Sequence, residues 1–416
     1  MALSTPRLWT ELCHISLGER HPDDQTNDKP IICHNGSEFI AWWKSRARNM
    51  PLALHLGVHQ YSYMRHNPSL VTPEMEEHVQ MLRDLVKSSR ILSLDHNFGL
   101  HLDSWIETQS LSFPGLETFV SKDFSMIGPL NKLGAKNVPL LRHLHTTVMP
   151  DDRILPEVYP LWRQLTHICI AKSAIRIDIW FILVRQLINV ESWWLEVDIH
   201  ALEDVPPPPQ AKLCHLKQMH MEFASASNGR WVGDRIFQNL ELPSLTALRI
   251  NSYLLDKDLN LILQATPAVK ELHLGDKITY DLSDIDYTGI IVGPLSTASR
   301  MPKLEHVLLS LGYNNLTRFK SCKDWIWKII KSPWLELGRG TNKIKTIEIS
   351  LLEGEFYRSG FKHLGLNEGE LTVPGVEFVL HEDNGQRLWE WCPRESGRHW
   401  KTNFFDLKFH QIGNQA

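Results

Sequence analysis

The chain has 416 residues and carries 44 Lys and Arg against 48 Asp and Glu, a formal net charge of −4 with a pI near 6.6. That balance lacks the basic footprint of a nucleic-acid binder, and its most apolar stretch, 179–184, is far too short to span a bilayer. The six cysteines Cys13, Cys33, Cys169, Cys214, Cys322 and Cys392 lie far apart with no C-x-x-C pair, which predicts reduced thiols in an intracellular protein, cytoplasmic or nuclear.

The N-terminus, MALSTPRLWTEL, has no basic start followed by an apolar run, the pattern of a secretory signal. Leu52, Leu54 and Leu56 alternate with polar or small neighbours and predict a strand. His55 and His59 are four apart, and the strand of the flanking leucines removes the helical geometry a zinc pair needs. Residues 78–86 (HVQMLRDLV) then carry helical periodicity.

From near residue 90 to near 350 a phrase L-x-x-L-x-L recurs. Its apolar slots are Leu116 and Phe119, Leu141 and Leu144, Leu165, Ile168 and Ile170, then Val190, Trp193 and Leu195. The series continues through Leu216, Met219 and Met221, Leu245, Leu248 and Ile250, Val269, Leu272 and Leu274. Leu304, Val307 and Leu309, and Ile344, Ile347 and Ile349, complete it. First slots follow one another at 25, 24, 25, 26, 29, 24, 35 and 40 residues. A period in the twenties with this pattern predicts repeats that each supply one strand and one returning segment to a continuous core. Pro114, Pro139, Pro243, Pro267 and Pro302 stand just ahead of a phrase, where proline ends the preceding segment and cannot donate to the strand ladder. Helical periodicity between phrases falls at 178–187, 258–264 and 323–330, several with Asp near the start as an N-cap. The fold class that follows is an α/β, leucine-rich-repeat-like solenoid or horseshoe, with parallel strands on the concave side and irregular helices on the convex side.

Residues alternating with the last two slots face away from that core, toward the concave side. Of eighteen such positions six are histidine, against 21 in the whole chain. The candidate partner-binding set is His143, His145, His167, Cys169, Trp194, His220, Arg249, His273 and His306, because rigid aromatics and arginine are favoured interface anchors. The plain alternative is that exposed sheet positions tolerate His, Thr and Ser. No carboxylate or thiolate completes a metal set around His143 and His167, and the chain has no G-x-S-x-G elbow and no P-loop. No catalytic residue, metal or cofactor is therefore assigned. Pro206 to Pro209 reads as a stiff connector, and Trp389, Trp391 and Trp400 as a terminal cap sealing the last repeat.

Residues 2–17 with Ser4, Thr5, Pro6, Arg7, Leu8 and Trp9, and residues 39–56 with Trp42, Trp43, Lys44, Ser45, Arg46, Pro51, Leu52, Leu54 and Leu56, resemble the stretch that follows the F-box in the fungal, basidiomycete-type F-box family. Residues 259–274 resemble that family's repeats. The resemblance implies a substrate receptor of an SCF-type ubiquitin ligase, whose partner is a substrate protein rather than nucleic acid or a membrane. The F-box that docks on the Skp adaptor would precede Ala2, so adaptor and cullin binding require an upstream F-box and fall on no residue of this chain. The domain reading is a post-F-box linker and N-terminal cap with the first strands over 1–60, the solenoid over 61–350 with insertions near 275–300 and 310–343, and a C-terminal cap over 351–416. Two other readings stay open: a repeat scaffold unconnected to ubiquitin, and an α/β enzyme whose repeats are over-read.

Overall fold

The computed structural model describes residues 11–16, 36–47, 50, 52–57, 80, 84–94, 112–121, 135–146, 155–198, 210–224, 237, 239–251, 261–262, 264–275, 303–312, 345–352 and 377–383. The STPRLW phrase, most of the 258–264 and 78–86 helices, the 323–330 helix, the Pro206–Pro209 connector, His59 and the tryptophans of the C-terminal cap lie outside them, as do the cores of the two insertions. The chain divides into two compact units, Met1–Ser173 and Ala174–Ala416.

The first unit is a parallel sheet in sequential order: β1 (Glu11–Ser16), β2 (Leu52–Gly57), β3 (Ser89–Leu94), β4 (Thr118–Ser121), β5 (His143–Thr146) and β6 (His167–Arg176), the last three residues of β6 belonging to the second unit. Helix α1 (Gly36–Ala47) precedes β2 and α2 (Leu155–Gln164) precedes β6. The second unit opens with α3 (Ile177–Gln186) and continues β7 (Ser192–Asp198), β9 (Gln218–Ala224), β11 (Ala247–Asn251), β12 (Glu271–Gly275), β13 (His306–Gly312), β14 (Thr346–Leu352) and β15 (Glu377–Asp383), again parallel and in that order. A separate parallel pair joins β8 (Ala211–Lys212) to β10 (Leu240–Glu241). The protein is thus mixed α/β, built on parallel sheet. Parallel neighbours need a crossover of a dozen or more residues, and a period in the twenties supplies it.

The slots read from the sequence are the core. Every slot from Leu116 to Val307 whose side chain is described is at most 7% exposed, the largest value belonging to Leu274. Burying a side chain of this size contributes roughly 1.5–3 kcal/mol. The phrase begins one turn earlier than its first apolar slot. Phe113, Val138, Trp162, Leu187, Leu242 and Thr266 each accept, through the carbonyl, the N–H of the residue three on, which is the first slot. These turn openers are also buried. Pro114, Pro139, Pro243 and Pro267 occupy the second position of such turns, where the fixed φ of proline fits and no N–H is required. Thr266 fills its apolar position by donating its hydroxyl to the Ile262 carbonyl at 2.8 Å.

A second regularity sets the register. The residue before each of seven described strands offers one carbonyl to two successive N–H groups of the next repeat. Glu117 accepts from Arg142 at 2.9 Å and His143 at 3.0 Å, and Arg142 accepts from Thr166 at 2.8 Å and His167 at 3.0 Å. In the second unit Glu191, Lys217, Thr246, Lys270 and Glu305 do the same. Where two neighbouring positions of this series are both charged, their side chains are opposite in sign. Arg90 meets Glu117 at 2.7 Å, Lys217 meets Glu191 at 2.6 Å and Lys345 meets Glu305 at 2.5 Å.

Several elements differ from expectation. The first unit's last core positions on β4 and β5 are Ser121 and Thr146, both fully buried. Helix α2 forms although Pro156 lies in its first turn and Pro160 inside it. Proline is tolerated in the first turn, and in the interior it removes one hydrogen bond. Helix α3 confirms the periodicity over 178–187, but its N-cap is Arg176, with Asp178 in the first turn ion-paired to Arg176 at 2.5 Å. Its apolar face packs Trp180 edge-to-face on Trp193 at 4.8 Å. Strand β15 extends the ladder into the region read as a cap.

Candidate functional site

The strand period places the candidate residues on the sheet face opposite the core, in rows fixed by register. In the first unit one row runs Ile91, Thr118, His143, His167, and the next Ser93, Val120, His145, Cys169. In the second unit the rows run Ser192, Gln218, Ala247, Glu271, His306, Thr346, then Trp194, His220, Arg249, His273, Leu308, Glu348, then Glu196, Glu222, Asn251, Gly275. Every candidate therefore lies on the face opposite the apolar slots. The expected exposure is not found: Cys169 is fully buried, and His220, Arg249 and His273 are 6%, 5% and 2% exposed. His143, His145, His167, Trp194 and His306 are half-buried.

The first unit's face is built of hydroxyl and imidazole groups. Thr118 Oγ1 is hydrogen bonded to His143 Nδ1 at 3.1 Å, and Thr166 Oγ1 to His167 Nδ1 at 2.8 Å. The two imidazoles meet edge-to-face with centroids 4.5 Å apart. Burial lowers the His143 pKa, Glu117 nearby raises it and Arg90 lowers it. The net direction is toward neutral imidazole. Cys169 and Cys214 are free thiols, the first buried and the second exposed.

The second unit's face holds charge. Trp194 stacks on His220 at 4.6 Å with an interplanar angle of 17°. His220 Nε2 lies 3.3 Å from Glu222 Oε1, and Glu222 is 3% exposed. Burial pulls Arg249 down to about 10, opposed by the Glu222 carboxylate. It still carries its proton at neutral pH. Burial drives His220 well below the ordinary imidazole range, and the Arg249 guanidinium adds to it. His273 is lowered well below that range by burial, Arg249 and His220. Glu271, two residues before His273 on the same face, is raised by burial.

Glu222 is the member of this constellation that the candidate set lacks. It stands two residues beyond His220 and so shares its face, a signal present in the strand period once counted past the last apolar slot. Among the described residues no three His, Cys, Asp or Glu side chains gather as a metal site. No described helix is long and apolar enough to cross a membrane. Searches against protein-family models and against curated proteins return no match.

Proposed function

We propose that the chain is a non-catalytic, intracellular protein-binding module in which each unit is a stretch of leucine-rich-repeat-like solenoid, and that it selects a substrate protein for an SCF-type ubiquitin ligase. The observation that supports binding most is the parallel ladder itself. Six phrases open on the same turn and seven carbonyls are shared in the same way between repeats, and the frame presents rows of unlike side chains on one face. Repeat frames of this kind present extended binding surfaces. The half-buried ring of Trp194, held flat by His220, is the aromatic anchor of that face. The ubiquitin link rests on the resemblance of residues 2–17 and 39–56 to the F-box family. Its mechanism is proximity: a captured protein is held at high effective concentration near a transferase, and this chain performs no chemistry.

The test is affinity capture from the native cell with the proteasome inhibited, comparing the wild type with Trp194→Ala and with Ile188→Ala, an exposed position outside the strands. A captured, ubiquitin-bearing protein lost only with Trp194→Ala is expected. Equal capture by all three removes the face as the binding surface. Capture that depends on Trp194 but brings no ubiquitin leaves the scaffold reading in place of the ligase one.

A further inference from the structure

Helix α1 shows the solvent a tryptophan. Among its described side chains Ala41, Trp42, Lys44, Ser45 and Arg46 are exposed, and Ala47 is buried. Trp42 is 43% exposed, whereas Trp162, Trp180 and Trp193 are each 1% exposed in their cores. Arg46 follows Trp42 by one helical turn, and its guanidinium carbon lies 5.5 Å from the centre of the Trp42 ring. That is within the reach of a cation–π contact, and residues four apart share one helix face. Ser45 sits between them and donates its hydroxyl to the Trp42 carbonyl at 2.6 Å.

The helix dipole accounts for part of this arrangement. Lys44 and Arg46 stand in the last turn, where cations complement the carbonyl end of a helix. It does not account for an indole held in water beside them. Tryptophan and arginine are the residue types most enriched at the centres of interfaces, and here the two are already assembled. An exposed guanidinium has five N–H donors in a fixed fork, so it can hold several acceptors at once. The exposed described side chains of α1 include two cations and no acid, so the charge they complement is negative. An anionic bilayer is also negative, but surface binding uses clusters of about four to eight cations or a broad apolar face, and this run has one large apolar side chain. The exposed run of six residues is about 9 Å long, which suits a short segment.

We propose that the Trp42–Arg46 face of α1 is a docking site for a short acidic segment of another protein. Arg46 takes a carboxylate through its fork, and an apolar side chain beside that carboxylate lies against the Trp42 ring. The site belongs to the first unit and stands whether or not the Trp194 face of the second binds a substrate.

The experiment is retention of short peptides by the immobilised whole chain. One set carries a glutamate or aspartate beside leucine or phenylalanine, and a matched set carries glutamine or asparagine instead. The wild type should retain the acidic set and not the amide set. Trp42→Ala and Arg46→Ala should each weaken that retention by about tenfold or more, the loss that follows truncation of an interface anchor. Both positions are exposed, so the urea midpoint should not move. Arg46→Lys keeps the charge but loses the fork, and should fall between Arg46→Ala and the wild type. Lys303→Ala removes an exposed charge from the second unit and should change nothing. An equal loss in Lys303→Ala reduces the effect to net charge and overturns the site. Equal retention of both sets, or of neither, overturns it too. So does binding to vesicles of equal parts phosphatidylserine and phosphatidylcholine in place of peptide. Trp194→Ala should retain the acidic set in full; a loss there moves the peptide to the sheet face and overturns the assignment to α1.

Discussion

The two units carry opposite chemistry on the same kind of frame. In the first, the candidate residues are imidazoles paired with hydroxyls and a thiol: Thr118 with His143, Thr166 with His167, and Cys169 fully buried. In the second, the corresponding rows bury Arg249 and Glu222 among imidazoles and a tryptophan. Both hang from the same turn, whose first residue is buried and whose second is often proline, and from the same shared carbonyl. The difference teaches that the frame is specified by apolar slots and backbone hydrogen bonds, and that the opposite face is free to vary. A face of hydroxyls and imidazoles asks less of its surroundings than a charged, buried one, which must be satisfied as a set.

The largest effect should come from attacking the common frame. Leu144→Asp in the first unit and Leu248→Asp in the second each put an unpaired carboxylate at a fully buried slot. Each should abolish the cooperative protection of its own unit in hydrogen exchange, a loss of about 4 kcal/mol or more. A variant that remains folded and protected would show that the slot register is wrong in that unit.

The next effect separates the faces. Arg249→Leu leaves Glu222 buried without its counter-charge and should destabilise the second unit by about 3–5 kcal/mol in denaturant unfolding. Adding Glu222→Leu should recover most of that loss, because replacing both members of a buried pair by apolar groups is often nearly neutral. Equal losses in the single and double variants would mean that the two charges are not coupled. The smallest effect belongs to the rim. Lys217→Ala removes an exposed ion pair with Glu191 and should cost less than about 1 kcal/mol, shrinking further as salt is added.

Much of the frame was legible in the residues. Leu116, Phe119, Leu141, Leu144 and the later slots are core because apolar spacing encodes the strand face directly. The turn openers Val138 and Leu242 were not read as part of the phrase, because the pattern they belong to starts three residues before the first slot. Ser121 and Thr146 were not: a polar residue at a core slot breaks the apolar pattern while the backbone keeps the register. Helix α2 was hidden by Pro156 and Pro160, which argue locally against a helix that tertiary packing nonetheless keeps. Strand β1 carries no full phrase and is defined by its pairing with β2. The candidate face was legible by period two, residue by residue. Its burial was not, because Arg249 is flanked by His220 and His273 from the two adjacent strands, which are distant from it in sequence. The pairing of Thr118 with His143 likewise crosses 25 residues, and only register brings the two together.

The shared carbonyl has a consequence for how such a chain can grow. From Lys217 the successive carbonyl positions are Thr246, Lys270 and Glu305, and Glu305 receives the N–H groups of Lys345 and Thr346, so the returning segments differ widely in length while these strands still start at the same hydrogen-bonded step. Closing a longer flexible loop costs little, only about 0.6 kcal/mol for each doubling. Alignment is decided at the entrance to each strand, and the amount of chain spent on the way back is nearly a free variable. Material can therefore be inserted or deleted on the return path, one repeat at a time, without renegotiating the face that the strands display.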